Sequence, residues 1–165
     1  MRTILRRREL VADDWAYPGE EAPAGTPLIV PLAALRAGTG PPASGVPLGV
    51  LLAPADGVEE LTPELPRLAL IAVEFPNFGD GRGYSQAHLL RTRLGFIGEL
   101  RAVGAGVRQD QVFFMARCGF DSMQLAAGED PRAALRALSR YTAAYQPGAA
   151  ALPLGRQRFP AHRPG

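Results

Sequence analysis

Residues 68–103 decide the fold, and they read LALIAVEFPNFGDGRGYSQAHLLRTRLGFIGELRAV. The first eight residues form a continuous apolar run with a single carboxylate, Glu74, and have the length of a buried strand. Residues 85–94 predict a helix, because a serine can cap the start and a glycine follows the last apolar residue. Residues 98–103 again resemble a strand. Strand, helix and strand joined by short connections predict a βαβ unit with parallel strands.

The same alternation continues on both sides of this unit. Residues 48–53 are a further apolar run of strand length, 120–126 predicts another strand, and 110–118 predicts a helix with Asp110 as its cap. The pair Asp130–Pro131 predicts the start of another helix. The predicted fold class is α/β, with one domain of βα repeats around a mainly parallel sheet. Two architectures satisfy this pattern, half of a βα-barrel or an open doubly wound sheet.

The predicted domain organisation has three parts within 165 residues. Residues 1–47 are an N-terminal extension with short strand elements, 48–146 are the βα-repeat domain, and 147–165 are a mobile C-terminal tail. The glycine- and proline-rich stretch 38–47 marks the first boundary. The tail has no hydrophobic periodicity, so it is not expected to pack.

Composition excludes several classes of function. A net charge of +2 is too small to suggest binding to nucleic acid. No apolar run approaches the roughly 20 residues that span a bilayer, so no membrane partner is predicted. One cysteine, Cys118, fits a cytoplasmic protein without an internal disulfide. Neither a cofactor fingerprint nor a tight cluster of metal ligands is present, and no cofactor or metal is predicted.

The glycine-rich loop 75–85, FPNFGDGRGYS, joins a buried strand to the start of a helix. Ligands of parallel α/β proteins bind at such strand ends. The amides and side chains of Arg82, Gly83, Tyr84 and Ser85 form a candidate site for a small oxyanion or a partner protein. The alternative is a tight turn, in which Asp80 bonds its own backbone and Arg82 lies in solvent.

Charged residues within predicted strands need partners, because an unpaired buried charge costs several kcal/mol. Glu99 and Arg101 are two residues apart and share one face of their strand. A cluster of Glu74, Arg101 and Arg82 at the carboxyl edge of the sheet is one prediction. A structural ion-pair network is the other. Glu74 and Asp80 are the candidates for a catalytic carboxylate.

The remaining charged candidates lie on or beside the helices. Arg91 and Arg93 are predicted to point away from their helix's apolar stripe, towards solvent or a partner. A structural network is predicted from four residues: Glu99, Asp110, Arg117 and Asp121.

Residues 75–125 resemble a family of uncharacterised bacterial proteins. The shared pattern is F-P-x-F-x-D-G-R-G-[YF]-S, then R-x-R-x-G-[FY]-x-G-E-[LI]-R-A-x-G, then D-Q and R-x-G-F-D. The positions that carry it are Phe75, Pro76, Phe78, 80–85, Arg91, Arg93, Gly95, 98–102, Gly104, Asp110, Gln111, Arg117 and 119–121. Members are labelled oxidoreductases of sulfite reduction, because their genes neighbour those of sulfite/nitrite reductases.

The resemblance implies a role in assimilatory sulfite reduction. The leading hypothesis is an accessory protein that binds a small oxyanion or a sulfite/nitrite reductase subunit. The alternatives are a small half-barrel enzyme with a carboxylate base, or a redox enzyme as the family label says. A homo-oligomeric structural protein is a further possibility.

Overall fold

A seven-stranded sheet organises residues 1–39 and 45–140, the part of the chain that the computed structural model describes. The strands are β1 Thr3–Arg6, β2 Glu9–Ala12, β3 Leu28–Pro31, β4 Leu48–Leu52, β5 Leu68–Glu74, β6 Glu99–Val103 and β7 Ser122–Met123. The helices are α1 Leu32–Arg36, α2 Arg82–Thr92, α3 Val112–Cys118 and α4 Pro131–Arg140, and the 3-10 turns are Val58–Leu61 and Leu65–Arg67. The predicted tail, 147–165, lies outside the described residues.

The strand order is β2-β1-β7-β6-β5-β4-β3, and β3 to β7 are parallel neighbours in chain order. The predicted α/β class with a mainly parallel sheet is confirmed. A doubly wound sheet reverses its strand order at a switch point, and these parallel strands do not. Of the two predicted architectures, the half-barrel is therefore the one that the strand order matches.

The two faces of the sheet are covered differently. Ile71 and Val73 of β5 pack in one core with Leu90 of α2 and Met115 of α3. Leu70, in the same strand, points to the opposite face and belongs to a smaller core. Alternate strand residues thus enter separate cores, as the pleat requires. The described helices supply buried residues only to the first core.

A crossing segment, residues 13–27, covers the second face. It connects β2 at one edge of the sheet to β3 at the other. Ala16 joins the β3 edge, because its amide donates to Pro27 O at 2.9 Å and its carbonyl accepts from the Ile29 amide at 2.9 Å. Gly49 leaves room for the Trp15 ring, since an added Cβ would lie 3.1 Å from Trp15 Cζ3. The segment predicted as an N-terminal extension therefore contributes three strands and the cover of one face.

Two helix starts and one strand differ from the sequence-based predictions. α2 begins at Arg82 instead of Ser85, because Asp80 Oδ1 accepts the Arg82 amide and Gly81 occupies the N-cap position. α3 begins at Val112, so Asp110 is not its cap. Residues 110 and 111, which were predicted to start this helix, instead belong to the turn before it. The strand predicted over 120–126 is only the two-residue β7, because the chain then leaves β6 and bonds to Val107 O through residue 126.

Within the described residues, no helix is both long enough and apolar enough to cross a membrane.

The hairpin that joins β1 to β2 carries local backbone strain. Arg6 pairs with Glu9, which leaves Arg7 and Arg8 as a two-residue turn with φ angles of +48° and +75°. Such turns favour Asn and Gly, because a side chain with a Cβ is disfavoured at positive φ by roughly 1–2 kcal/mol. Two consecutive arginines therefore form this turn at the expense of stability.

We expect the double change Arg7→Asn and Arg8→Gly to raise the free energy of unfolding by about 1–2 kcal/mol, since it relieves that strain. Urea unfolding measured by circular dichroism checks the change. Arg7→Gln with Arg8→Gln is the control, because it removes the same charge but keeps both Cβ atoms. Equal stability of the two double variants would contradict the assignment of strain to the turn.

Candidate functional site

The carboxyl ends of β3 to β7 meet at one edge of the sheet, where four loops gather. These loops span residues 53–57, 75–81, 104–111 and 124–130. Parallel α/β folds place their functional residues at this edge. The glycine-rich loop singled out in the sequence is one of the four, so its surroundings define the candidate site.

Glycines lock the 75–81 loop against its neighbour. The Gly106 amide donates to Phe75 O at 2.8 Å, and a Cβ at Gly106 would collide with Asn77 O. Gly104 has a φ of +111° and also lies directly against the Phe75 backbone. Gly83 packs on the Phe75 ring, where an added Cβ would lie 2.6 Å from Cζ. Such close packing fixes the loop in one conformation.

Asp80 and Arg82 form a bidentate pair at the start of α2. Asp80 Oδ1 accepts from the Arg82 amide at 3.1 Å and from its Nε at 3.0 Å, while Oδ2 accepts from Nη2 at 2.7 Å. These hydrogen bonds lower the pKa of Asp80. The position where a bound anion would sit is thus occupied by the protein's own carboxylate. A carboxylate with a lowered pKa is also a weaker base.

An exposed aromatic side chain tops the same loop. Phe78 is 59% exposed, and the guanidinium carbon of Arg108 lies 5.8 Å from its ring centroid. Arg108 also pairs with Glu129 at 3.4 Å, and that carboxylate accepts the Gln109 amide at 2.6 Å. Glu129 therefore links the 104–111 loop to the 124–130 loop and holds Arg108 beside Phe78.

Tyr84 extends this aromatic surface towards α3. Its hydroxyl donates to Gln111 Oε1 at 3.0 Å, and its ring meets the rings of Phe75 and Phe114 edge to face at 5.0 and 4.8 Å. Burial raises the pKa of Tyr84 to about 12. Phe114 is itself 49% exposed. We call this surface the carboxyl-edge platform; it comprises Phe78, Arg82, Tyr84, Arg108 and Phe114.

Arg101 is not part of this platform, contrary to the predicted cluster with Glu74 and Arg82. Its side chain is 1% exposed and lies on the face that the crossing segment covers. Nη1 donates to Asp13 Oδ1 at 2.7 Å and to the Tyr17 hydroxyl at 2.9 Å. Its remaining partners are Glu99, at 2.7 Å from Nη2, and Ser122, at 3.1 Å from Nε.

Tyr17 shares this buried environment, and burial raises its pKa to about 12. Burial thus keeps the Tyr17 phenol protonated and neutral, so Tyr17 adds no negative charge to the groups around Arg101. Asp13 and Glu99 are the carboxylates that balance the Arg101 charge. The arrangement attaches the crossing segment to β6 and β7.

Arg91 is also buried, contrary to the prediction that it faces solvent or a partner. Its side chain is 6% exposed and donates to three backbone carbonyls, Phe96 O at 2.7 Å, Gly98 O at 2.9 Å and Gly119 O at 3.0 Å. Nη2 also pairs with Asp121 at 2.5 Å. Arg91 therefore binds the loops at the amino ends of β6 and β7, at the opposite edge of the sheet from the platform.

The side chains of the other predicted site residues form no hydrogen bond or ion pair with one another within the described residues. Ser85, Arg93 and Asp110 are exposed. Glu74 is half-buried, and its carboxylate forms no hydrogen bond or ion pair with any residue of 1–39 or 45–140. Arg117 is half-buried, and its Nε finds no hydrogen-bond partner within those same ranges.

Sequence reasoning missed four contributors: Phe78, Arg108, Asp13 and Tyr17. Phe78 carried a usable signal, since an aromatic residue among glycines directly after a buried strand has no apolar run to pack with. Asp13 and Tyr17 carried none, because they meet Arg101 only across 88 and 84 residues of chain.

A family model matches residues 49–154, which is more than half of the chain. Its description is "Bacterial protein of unknown function (DUF934)". The chain belongs to this family. The resemblance noted in the sequence is thereby confirmed, while the family description assigns no activity. The DUF934 match includes the whole carboxyl-edge platform, whereas the hairpin and the crossing segment precede it. A comparison with curated proteins finds no match.

The two arginines of the predicted cluster should respond differently to substitution. Arg101→Met removes the buried cation shared by Asp13 and Glu99 and leaves them the longer contacts to Arg2, at 3.4 Å, and Arg6, at 3.7 Å. Breaking a buried pair in this way typically costs about 3–5 kcal/mol. Arg82→Met removes an exposed ion pair and should leave the melting temperature nearly unchanged. Thermal unfolding of both variants checks this. A melting temperature that falls equally in both would refute the separation of the two sites.

The raised pKa values of Tyr17 and Tyr84 predict a loss of stability in alkali. Both phenols have pKa values near 12 in the folded protein, against 10.0 ordinarily. The folded state therefore holds these protons more tightly, and the stability that they contribute is present below about pH 10 and lost as the pH rises towards 12.

Tyrosinate absorbance during a pH titration measures these two groups. Subtracting the titration of Tyr84→Phe from that of the unchanged protein should isolate a component with a pKa near 12, and Tyr17→Phe should isolate another. Components that titrate near pH 10 while the protein remains folded would contradict the burial of these hydroxyls.

Proposed function

We propose that this DUF934 chain is a non-catalytic accessory protein of assimilatory sulfite reduction. In this proposal it binds a sulfite/nitrite reductase subunit through the carboxyl-edge platform. The observation that carries it is Phe78, an exposed aromatic side chain held in a rigid loop beside Arg108. The pathway rests on the resemblance described above, since members of that family are labelled by their neighbouring reductase genes.

The composition of the platform supports binding to a protein. Aromatic residues and arginine dominate the binding energy of protein interfaces. Phe78 and Phe114 each expose about half of their surface, which is unfavourable in water and favourable against a partner. Because Gly104 and Gly106 fix the Phe78 loop, little conformational entropy is lost when a partner binds.

The charges of the platform favour a protein partner over a free oxyanion. Arg82 directs its Nε and Nη2 to Asp80, and Arg108 pairs with Glu129. A small anion would have to compete with both carboxylates. A protein surface can instead pack against the aromatic rings and leave both ion pairs in place at its rim.

Cys118 offers little support for a thiol-based redox activity. Burial raises the pKa of its thiol, which lowers the fraction of reactive thiolate.

One observation favours the alternative of a small enzyme with a carboxylate base. Glu74 lies at the carboxyl end of β5, half-buried, with no partner among the described residues. Such a group is free to accept a proton from a substrate. Under the accessory hypothesis Glu74→Gln leaves sulfate-dependent growth unchanged, whereas under the enzyme hypothesis it abolishes that growth.

The direct test measures binding of the purified chain to the purified sulfite/nitrite reductase subunit from the same cells. Phe78→Ala should weaken binding by roughly 30-fold, as loss of about 2 kcal/mol at an interface hot spot does. Biolayer interferometry measures the dissociation constants.

His88→Ala serves as the matched control, because His88 is an exposed ring on α2 outside the carboxyl-edge platform. Its binding to the reductase subunit should be unchanged. The proposal is wrong if the unchanged chain does not bind the subunit, or if Phe78→Ala binds as tightly as the unchanged chain. Loss of sulfate-dependent growth on gene deletion, restored by cysteine, tests the pathway separately.

A further inference from the structure

The amino edge of the sheet, opposite the platform, carries a second exposed surface. It contains the tip of the β1–β2 hairpin, the residue before β5, and the loop between α2 and β6. We call it the basic edge; it comprises Arg6, Arg7, Arg8, Arg67, Arg93 and Ile97. Ile97 is 88% exposed, an unusual position for a large aliphatic side chain beside charged residues.

The loops of the basic edge are held together from beneath. Arg91 bonds the carbonyls of the 96–98 loop and the Asp121 carboxylate. Asp121 in turn accepts the Leu100 amide at 3.0 Å, and its carbonyl accepts the Arg7 amide at 3.1 Å. One buried ion pair thus sets the hairpin tip beside the loop that presents Ile97.

Much of the positive charge on this edge is uncompensated. The side chains of Arg7, Arg8 and Arg93 are exposed and form no ion pair or hydrogen bond with any residue in 1–39 or 45–140. Arg6 pairs with Glu99 at 3.7 Å and Arg67 pairs with Glu64, so the uncompensated charge is that of Arg7, Arg8 and Arg93. Glu99 and Asp121 also bind the buried Arg101 and Arg91.

Helix ends explain only part of this charge. Arg93 follows α2, where the carboxyl end of a helix favours a cation. Arg7 and Arg8 are not on a helix, and they form a turn that favours other residues. Arg7 and Arg8 occupy a turn whose backbone conformation disfavours them, which indicates that their charges serve a function outside the fold.

We infer that the basic edge docks an acidic protein surface, with Ile97 inserted among the partner's apolar side chains and Arg7, Arg8 and Arg93 facing its carboxylates. A protein fits better than a nucleic acid or a membrane. Glu9 and Glu64 lie among the arginines, where they would repel a continuous run of phosphates. A single aliphatic side chain within a ring of charge has the layout of a protein interface. The inference is independent of the function proposed for the platform, since the two surfaces lie at opposite edges.

Photo-crosslinking of the full chain tests this. Ile97 is replaced by benzoylphenylalanine, cells grown on sulfate are irradiated, and the crosslinked peptide of the partner is sequenced by mass spectrometry. We expect one discrete adduct whose crosslinked peptide is acidic. Adding Arg7→Gln, Arg8→Gln and Arg93→Gln should reduce its yield by roughly tenfold, as loss of several facing charges does.

A charge-matched control separates local contact from net charge. Arg36→Gln, Arg132→Gln and Arg136→Gln remove the same charge from exposed positions away from the basic edge, and the yield should not change. Phe78→Ala should also leave this adduct intact, even if it abolishes binding at the platform. Circular dichroism of each variant verifies that it is folded.

Several outcomes would overturn the inference. One is the absence of a discrete adduct, and another is an adduct whose yield is the same in both triple variants. A crosslink to a second copy of this chain would show self-association instead. Binding to a DNA duplex or to anionic phospholipid vesicles at about 0.15 M salt, lost in the Arg7, Arg8 and Arg93 variant, would assign the surface to that ligand.

Discussion

A single buried guanidinium connects the crossing segment to the middle of the sheet. Arg101 lies in the middle of the sheet and binds Asp13 and Tyr17 of the crossing segment, Glu99 of its own strand and Ser122 of β7. An isolated charge in this position would cost several kcal/mol, so the four partners are required for the sheet to form around it. They also orient the crossing segment, which covers the apolar residues of that face. Arg101 is thus a constraint on the register of β6 and β7 and on the route of the chain before β3.

The chain order of the parallel strands separates the molecule into two unlike edges. Every crossover from β3 to β7 returns over the same face, so the helices share one side and their amino ends point to one edge. The carboxyl edge carries aromatic rings with paired arginines, whereas the amino edge carries one aliphatic side chain with three arginines, Arg7, Arg8 and Arg93, that form no ion pair among the described residues. Binding of a partner at the carboxyl edge would depend mainly on the burial of apolar area. Binding at the amino edge would depend on charge, and therefore on the salt concentration.

The central βαβ unit was predictable from sequence because its signals are local. The apolar run of β5 and the glycine after α2 report burial and helix termination within a few residues. The glycine-rich loop also indicated the edge where the platform lies. The burial of Arg91 and the partners of Arg101 were not predictable. Arg101 was recognised as a strand charge in need of partners, whereas Arg91 was predicted to face solvent or a partner. Their partners, Asp121 and Asp13, lie 30 and 88 residues away, and no spacing rule links a buried arginine to a carboxylate at such a distance. The early start of α2 was missed for a different reason, since glycine at position 81 reads equally as loop or as cap.

The crossing segment has a consequence for how the protein is made. Residues 1–31 are synthesised before the rest of the described chain, yet β1 pairs with β7 and Asp13 pairs with Arg101. On the ribosome, the hairpin and the crossing segment emerge without the surfaces that they are built to cover, whereas β3, β4 and β5 can pair in order as they appear. Strand pairing can therefore proceed from the β3 edge towards β7, and β1 and β2 are placed last. Contacts that join residues so far apart form slowly, because the long intervening chain must be ordered before they are gained. Until β7 is complete, the face with Leu70 and Ala72 stays open to water, and during that interval the nascent chain is most exposed to aggregation.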